Sequence, residues 1–592
     1  MTRCRGNGQY IVPNSPVRLK MRTPDAQPAE VEPQHPTPTL DSTGWPGWPH
    51  VGPPVTEREW GSRRRRHSLF KSAGIVAGAF VVSRLLGLVR EIVLARQFGT
   101  SEAYSAYVSA FRIPDLLFLV IMAGAFGSAF IPVFSGFLGN GEDEAAWNLA
   151  SVILNISGVL VFLTAAAAWV FAPELVRYVV APSASSAAQQ ITVDCMRLLL
   201  LSPVFLGFGI AVKGILEGQD LFTLPALAPI VYNAATILGA LVLGPRIGVY
   251  GVAIGVVAGA MGFLLVEIPG LVRSGMHYSF SFNPLTPGVG EVARLLAPRL
   301  IGQAAFQLNF IAVTNLAWRT GEQSVSALNY AWQLLMLPHG VLALSVSTVI
   351  LPTLSRLWQA GDTTAFRATL GNALRPLFFL SLLAAVILFA FRLPIVQTLF
   401  QTGAFSAEST SLVAAPLAFL AAGLISYALV EALARAFYAM HDTRTPVIAG
   451  IGIVALNIVV GVMLLDQLGY LALALALSLS TTVEAIILIV VLRGRVGGAS
   501  ENTRDWLLKV AACAAVAALV AAGLADPLAE ATKPGNGPRL QQIVVFLLAL
   551  GVVVIVYLGS AWILRLPEVS EVLGHLARRI PPLRRLAAPT RR

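Results

Sequence analysis

Residues 70–96, FKSAGIVAGAFVVSRLLGLVREIVLAR, are long and apolar enough to cross a membrane as a helix, yet they contain Arg84 and Arg90. An arginine near the middle of a membrane helix costs about 2.5–3.5 kcal/mol on insertion scales. Such a residue usually faces a bundle interior or a wet cavity, where an anionic group offsets the lost hydration. The stretch therefore predicts a membrane protein that meets something negative inside the bilayer.

The same apolar pattern recurs along most of the chain. A membrane-spanning helix needs about 20 mostly apolar residues, and the stretches that meet this requirement are separated by Gly, Pro and charged clusters. The fold we predict is an all-α integral membrane protein with fourteen spans. Their expected limits are 70–96, 102–137, 145–172, 187–217, 222–244, 248–272, 289–317, 323–357, 364–391, 406–437, 445–466, 469–493, 505–525 and 540–565.

Composition excludes several other classes of protein. Of the 592 residues, 56% are hydrophobic and 12% are charged, about half the charged share of a soluble domain. The three cysteines, Cys4, Cys195 and Cys513, are too far apart for metal-ligand spacing, so we expect neither a disulfide framework nor a metal site. There is no Walker loop and no catalytic triad in a supporting context. The sequence therefore predicts no enzyme activity and no cofactor.

Charge distribution predicts the topology. The net charge is +11, but the basic residues concentrate in the tails and short loops, which indicates membrane topology and no nucleic-acid partner. Residues 1–67 are rich in Pro, Gly and polar residues and are predicted to be a disordered cytoplasmic tail that ends close to RRRR at 63–66. Arginines also dominate the loops on the same side and the basic tail 567–592. Both termini are thus expected in the cytoplasm.

The chain repeats itself after about 220 residues. IPVFSGFLGNGEDEAAW at 131–147 aligns without gaps with LPTLSRLWQAGDTTAFR at 351–367. A second pair of stretches places Asp220 opposite Asp442 and Asn233 opposite Asn457. A shift of six spans preserves direction across the membrane, so the repeats are parallel and a cavity is expected between them. The predicted parts are an N-lobe at 68–272, a C-lobe at 289–493 and a helix pair at 505–566.

SRLLGLVREIVLARQFGTSEAYSAYVSAFRIPDLL at 83–117 and GAFGSAFIPVF at 124–134 closely resemble the MurJ/MviN family. The family belongs to the multidrug/oligosaccharidyl-lipid/polysaccharide exporter superfamily and has fourteen helices. The resemblance extends over about 70–565 and includes GVLALSVSTVILPTLS at 340–355 and ALARAFYAMHDTRTPV at 432–447. It implies a lipid II flippase, which moves a lipid-linked peptidoglycan precursor to the outer leaflet for cell-wall synthesis.

The resemblance also implies partners and a location. The substrate would be a lipid-linked disaccharide-pentapeptide that carries a pyrophosphate, handled among the lipids of a bacterial cell membrane. A coupling ion and proteins of cell-wall synthesis are further expected partners. Two alternatives stay open, namely a flippase for another polyprenyl-linked glycan and a non-transporting scaffold of the wall-synthesis machinery.

The resemblance implies cavity roles for Arg84 and Arg90, while Arg112 matches a basic family position and Gln307 a family glutamine. Spacing allows an alternative in which Arg84 pairs with Glu91 and Arg90 extends to the membrane interface, because residues 84 and 91 are seven apart and share a direction on the helix. We name five substrate-binding candidates and no catalytic, cofactor or metal residues: Arg84, Arg90, Arg112, Gln303 and Gln307.

Two of these candidates have structural alternatives in their own surroundings. Arg112 and Asp115, three residues apart around Pro114, form an internal ion pair as readily as a ligand contact. Gln303 and Gln307 continue to Thr314 as one polar stripe, which either lines the cavity or bonds to another helix.

The chain departs from the family pattern at three positions. Ser105 stands where many members have Asp, Phe118 where some have a basic residue, and Gln333 where a cavity arginine aligns. The cavity is therefore expected to be less cationic than in other members. If it holds an anion, Arg84 and Arg90 must provide most of the attraction.

Overall fold

The structure, a computed structural model, describes residues 62–123, 130–498 and 503–569. Contacts within the chain separate residues 1–67 from residues 68–592, and the second unit is the subject below. Most of the predicted tails, 1–67 and 567–592, lie outside the described residues, as do Gly124 to Gly127 of the family motif. The disorder and cytoplasmic location of the tails stay predictions.

Every regular element among the described residues is a helix, and each of the fourteen predicted spans falls on helical segments. Within the described ranges, eleven helices are long and apolar enough to cross a membrane, and α1, α7 and α8 occupy the three remaining predicted spans. The expected all-α membrane fold is confirmed. The segments are α1 Ser62–Phe98, α2 Glu102–Met122, α3 Asp143–Val170, α4 Ser186–Gly218, α5 Thr223–Ile247, α6 Val249–Arg273, α7 Val289–Trp318, α8 Ser324–Gln359, α9 Thr363–Ala390, α10 Ala407–Ala439, α11 Arg444–Leu468, α12 Leu471–Val496, α13 Thr503–Ala531 and α14 Arg539–Ile563.

Large apolar side chains cover the outer surface of the helices. Met463 on α11 is 71% exposed, Leu519 on α13 is 73% exposed and Ile555 on α14 is 71% exposed. In water such a continuous apolar surface would drive association. Within a bilayer the same side chains contact lipid, and the helical backbone satisfies its own hydrogen bonds.

Several segments contain breaks that periodicity did not predict. Segment α2 is interrupted at Phe111, resumes as Arg112–Leu117 and passes into a π-helical turn at Phe118–Ala123. Another π-helical turn, Gly239–Leu243, lies within α5. A π turn adds a residue to one helical turn and re-aims the side chains that follow, so the facing of these spans could not be calculated from an ideal 3.6-residue period.

The packing of the helices repeats with the sequence. In the N-lobe, α5 packs against α6, α6 against α4, and α4 against α2 and α3. In the C-lobe the equivalent pairs recur, since α11 packs against α12, α12 against α10, and α10 against α8 and α9. The parallel repeat seen in the sequence is thus also a repeat of contacts.

The structure corrects one detail of the repeat. Asp220 and His441 both adopt the left-handed conformation, with φ of 62° and 58°, and each is the second residue after its helix, α4 or α10. They therefore occupy the same position, and Leu221 stands opposite Asp442. The expected match of Asp220 with Asp442 was wrong by one residue, because the shared aspartate in the sequence concealed the turn geometry, which Asp and His both tolerate.

The lobes are joined by hydrogen bonds at the end of the bundle where α1 ends and α2 begins. Thr100 Oγ1 donates to Gln323 Oε1 at 2.7 Å and shares a hydrogen bond of 2.8 Å with Ser409 Oγ. Ser326 Oγ donates to the carbonyl oxygen of Thr100 at 3.1 Å. We call these four residues the polar seam. All of the groups in it are neutral.

Two glycines let the main chains touch beside the polar seam. The amide of Ala404 donates to the carbonyl oxygen of Arg96 at 2.8 Å. Gly99 has φ of +56°, and a Cβ there would lie 2.5 Å from the carbonyl oxygen of Ala404. Gly403 has φ of +61°, and a Cβ there would lie 2.4 Å from the carbonyl oxygen of Arg96. Only glycine fits both positions without displacing backbone.

Candidate functional site

A cavity of about 570 Å³ lies between the N-lobe and α8. Its walls come from α1 between Val76 and Glu91, the last turns of α4, the first half of α5, the first half of α8 and the side chain of Phe400. The cavity therefore extends toward the end of the bundle where α1 and α5 begin, away from the polar seam. Its lining is mostly apolar, with five charged side chains: Arg84, Arg90, Glu91, Lys213 and Glu217.

Arg90 is held by side chains from two helices. Its Nη2 donates to Glu91 Oε1 at 2.7 Å, and its Nη1 donates to Asn233 Oδ1 on α5 at 3.2 Å. Gln333 Nε2 on α8 donates to the same Glu91 oxygen at 3.3 Å. Because Gln333 belongs to the C-lobe, this network links the two lobes inside the cavity.

Arg84 is presented to the cavity without a carboxylate partner among the described residues. Its guanidinium carbon lies 5.3 Å from the centre of the Phe80 ring. On the opposite side is Gly340 of α8, where a Cβ would lie 3.5 Å from Arg84 Nη1. The alternative that pairs Arg84 with Glu91 is wrong, because Glu91 faces Arg90.

The charges of the cavity leave one cation uncompensated within the described lining. Glu91 neutralises Arg90, and Glu217 lies 3.7 Å from Lys213 one turn away on α4. Arg84 keeps a positive charge that no carboxylate of the described lining compensates. Sequence reasoning did not assign Lys213 and Glu217 to the site. A charged pair at i and i+4 inside the apolar span at 187–217 was the signal that could have identified them.

The other predicted site residues are not among the residues that line this cavity. Arg112 Nε donates to Thr314 Oγ1 on α7 at 2.7 Å, and its guanidinium lies 5.5 Å from the centre of the Phe310 ring. Gln307 is 7% exposed. The structure thus brings Arg84, Arg90 and Gln333 together, while a role for Arg112, Gln303 and Gln307 in binding substrate stays a prediction.

The positions that depart from the family pattern have separate roles in the structure. Ser105 is fully buried, and its Oγ accepts a hydrogen bond from the amide of Ser326 at 3.3 Å. Phe118 begins the π-helical turn of α2. Only Gln333 lines the cavity, so it is the one departure that directly lowers the positive charge there.

This arrangement suits the binding of an anion with apolar neighbours. Arginine offers a planar fork of donors that matches phosphate oxygens and keeps its charge in a partly buried site. Pockets that orient a ligand usually combine an apolar lining with few convergent polar groups. Among the described residues, no group of three or more His, Cys, Asp or Glu could hold a metal ion.

Comparison with known proteins gives a consistent family. Residues 94–535 match the family model described as lipid II flippase MurJ. A lipid II flippase MurJ from Burkholderia cenocepacia is 32% identical over 477 residues, which cover 77% of this chain and 89% of that protein. A probable lipid II flippase MurJ from Rhizobium meliloti is 31% identical over 478 residues, covering 78% and 89%.

Solved structures show the same fold. A lipid II flippase MurJ in an inward closed conformation superimposes with a TM-score of 0.67 at 24% identity, covering 81% of this chain and 98% of that chain. An inward-facing multidrug resistance transporter of the MATE family, in the MOP superfamily, gives a TM-score of 0.61 at 17% identity, covering 70% and 94%. At these identities the likeness concerns the fold alone.

Proposed function

The chain belongs to the MurJ family, and we propose that it is a lipid II flippase of a bacterial cell membrane, with both termini in the cytoplasm. It moves the lipid-linked peptidoglycan precursor from the cytoplasmic to the outer leaflet for cell-wall synthesis. The observation that carries the proposal is the uncompensated Arg84 beside Arg90 in a largely apolar cavity between the lobes. A pyrophosphate supplies the anionic partner that Arg84 lacks.

The two arginines have different parts in binding. Arg84 provides free charge and donors, whereas Arg90 is already oriented by Glu91 and Asn233. An anion that approaches both would receive charge-assisted hydrogen bonds, the strongest kind available to a protein. A cavity of about 570 Å³ has room for a pyrophosphate and the adjoining sugar. The rest of the head group requires a wider opening, and the polyprenyl chain stays in lipid.

The transport cycle follows from the two ends of the bundle. The polar seam closes the end where α1 ends, and the cavity lies toward the end where α1 begins. With a cytoplasmic N-terminus, this state holds the cavity on the cytoplasmic side. Rocking of one parallel lobe against the other would open the seam and expose the head group to the outer side.

A depletion experiment tests the proposal. In a bacterium whose own flippase is depleted, the wild-type chain should restore growth and prevent lipid II from accumulating in the inner leaflet. Arg84→Ala and Arg90→Ala should fail at equal protein levels. Arg435→Ala is the matched control. Arg435 Nη2 lies 2.7 Å from Glu431 Oε1, and neither residue lines the cavity. Full restoration by both cavity variants would refute the proposal.

The same variants separate the alternatives. A non-transporting scaffold would not depend on cavity charge, so both arginine variants would support growth. A flippase for another polyprenyl-linked glycan would depend on the arginines yet fail to flip lipid II in proteoliposomes. Purified protein assayed with lipid II and with a different polyprenyl-pyrophosphate glycan distinguishes these cases. Arg112→Ala in the same assay tests the prediction that Arg112 contacts substrate.

A further inference from the structure

Glu267 on α6 is a carboxyl group that the cavity network does not explain. Its side chain is 0% exposed. Neither carboxylate oxygen has a hydrogen-bond partner within the described part of the chain. An ionised carboxylate is costly to bury without donors, and a buried acid in a membrane helix is usually functional. The burial of Glu267 without donors therefore favours the protonated, neutral form of its carboxyl group.

The electrostatic neighbours of Glu267 connect it with the cavity. Segment α6 packs against α2, α4 and α5. On these helices, Lys213 and Glu217 of α4 interact electrostatically with Glu267, and both line the cavity. Within the described part of the chain, the other ionisable side chains on the three helices have no comparable electrostatic interaction with Glu267: Glu102, Tyr104, Tyr107, Arg112, Asp115, Asp194, Cys195, Arg197, Tyr232 and Arg246.

We propose that Glu267 binds a proton supplied by water in the cavity, and that this proton and an anionic head group bind cooperatively. The proton adds to one carboxylate oxygen, and no other bond changes. When Glu267 is neutral, Glu217 is the one carboxylate of this group that attracts the Lys213 ammonium. When Glu267 is ionised, two carboxylates compete for one ammonium, and the cavity side of the N-lobe loses one unit of positive charge. An anion then binds less tightly.

The proposal deepens the assigned function, since it rests on lipid II as the ligand and names the proton as the linked ion. Linkage is reciprocal, so a proton that strengthens anion binding must itself be taken up when the anion binds. One linked proton weakens the affinity at most about tenfold per pH unit as pH rises. A proton is favoured over a metal cation because one carboxyl group supplies too few oxygen ligands for an alkali or alkaline-earth ion.

Binding of lipid II to the full-length chain in nanodiscs, measured from pH 5.5 to 8.5, tests the cooperativity. Wild type should bind more weakly as pH rises, whereas Glu267→Gln, which stays neutral, should bind tightly at every pH. Glu484→Gln is the matched control, because Glu484 lies on α12, the equivalent helix of the other lobe, and should keep the pH dependence of wild type. A flat wild-type profile, or an unchanged slope in Glu267→Gln, would overturn the cooperativity.

An infrared titration of the same samples without ligand tests the proton site itself. The difference spectrum between low and high pH should contain a protonated-carboxyl band that Glu267→Gln lacks and Glu484→Gln retains. If this band is absent in wild type, Glu267 is not the site. If lipid II fails to bind wild type at any pH while the band is present, the assigned substrate is wrong and the proton site stands.

Discussion

The two lobes place the same contact in equivalent helices and give it different chemistry. In the N-lobe, Arg90 of α1 donates to Asn233 of α5 at 3.2 Å. In the C-lobe, Asn457 of α11 donates to Asn309 of α7 at 2.6 Å. The charged version lies in the cavity, and the neutral version is buried away from it. The two lobes therefore share the position of this contact between helices, but only the N-lobe contact includes a charged side chain.

A second difference lies in the loops before the fifth helix of each lobe. Asp442 forms an ion pair with Arg495 Nη1 at 2.6 Å and accepts a hydrogen bond from the amide of Thr445 at 3.0 Å. The equivalent position in the N-lobe is Leu221, whose apolar side chain can form neither the ion pair nor the hydrogen bond. An ion pair therefore fixes the C-lobe loop, whereas the N-lobe loop next to the cavity forms no ion pair with any described residue.

The largest effect is expected from converting the N-lobe contact into the C-lobe type. Arg90→Asn keeps a polar side chain opposite Asn233 but removes the charge-assisted donors. Hydrogen bonds to charged groups contribute about 1.5–3 kcal/mol, so the affinity for lipid II should fall about 10- to 150-fold. Binding and flipping in proteoliposomes measure this. An unchanged affinity would mean that the two lobes differ in chemistry but not in function.

The next effect concerns the place where the lobes touch. Gly99→Ala should destabilise the protein by about 1–2 kcal/mol from left-handed strain, and further because a Cβ at 2.5 Å from the Ala404 carbonyl oxygen must displace backbone. Gly361→Ala is the control, since its φ is +71° with no atom within 4 Å of the added Cβ. Thermal unfolding in detergent should show the larger loss for Gly99→Ala. Equal losses would show that strain alone matters.

Equivalent asparagines should respond differently in the two lobes. Asn457→Ala removes an interhelical hydrogen bond, which is worth about 0.6–1.7 kcal/mol in membrane proteins, and should leave lipid II affinity unchanged. Asn233→Ala should cost similar stability but also weaken lipid II binding, because Arg90 loses an orienting partner. Unfolding and binding are measured on both variants. A loss of affinity in Asn457→Ala would contradict the assignment of binding to the N-lobe.

The smallest effect comes from the loop ion pair. Partial burial raises the pKa of the Asp442 carboxyl, but hydrogen bonds from Thr445 and Arg495 outweigh it, and the net pKa lies below its ordinary value of 3.8. The stabilisation is thus complete above about that pH and is lost as pH falls through the lowered pKa. Asp442→Asn should cost about 0.2–1 kcal/mol at neutral pH. Unfolding curves from pH 3 to 7 should converge for variant and wild type at the acid end.

Hydropathy predicted the helical segments because the length of a membrane span and its apolar surface are set by the bilayer rather than by tertiary contacts. The repeat could also be detected, since Pro and Gly mark helix ends in both halves. The π-helical turn at Phe118–Ala123 escaped prediction, because π turns are rare and hydropathy carries no signal for them.

The site was only partly predictable for a related reason. Arg84 and Arg90 were identifiable because charge is rare in a membrane helix. The arginine that pairs with Glu91 could not be identified from the sequence, because residues 84 and 90 both place a guanidinium within reach of it along the helix. The positions of Gln333 and Asn233 in the structure decide between the two. Glu267 belongs to no sequence motif that would identify it as functional. Its burial without hydrogen-bond donors is visible only in the structure.

The neutral groups of the polar seam bear on how much work the protein needs in order to change shape. Each hydroxyl or amide in Thr100, Gln323, Ser326 and Ser409 can exchange its partner for water, at a net difference of about 0.5–1.5 kcal/mol per bond. The side chains of the polar seam therefore contribute only a few kcal/mol to the contact between the lobes at this end of the bundle. Separating these four side chains in water would therefore require little work.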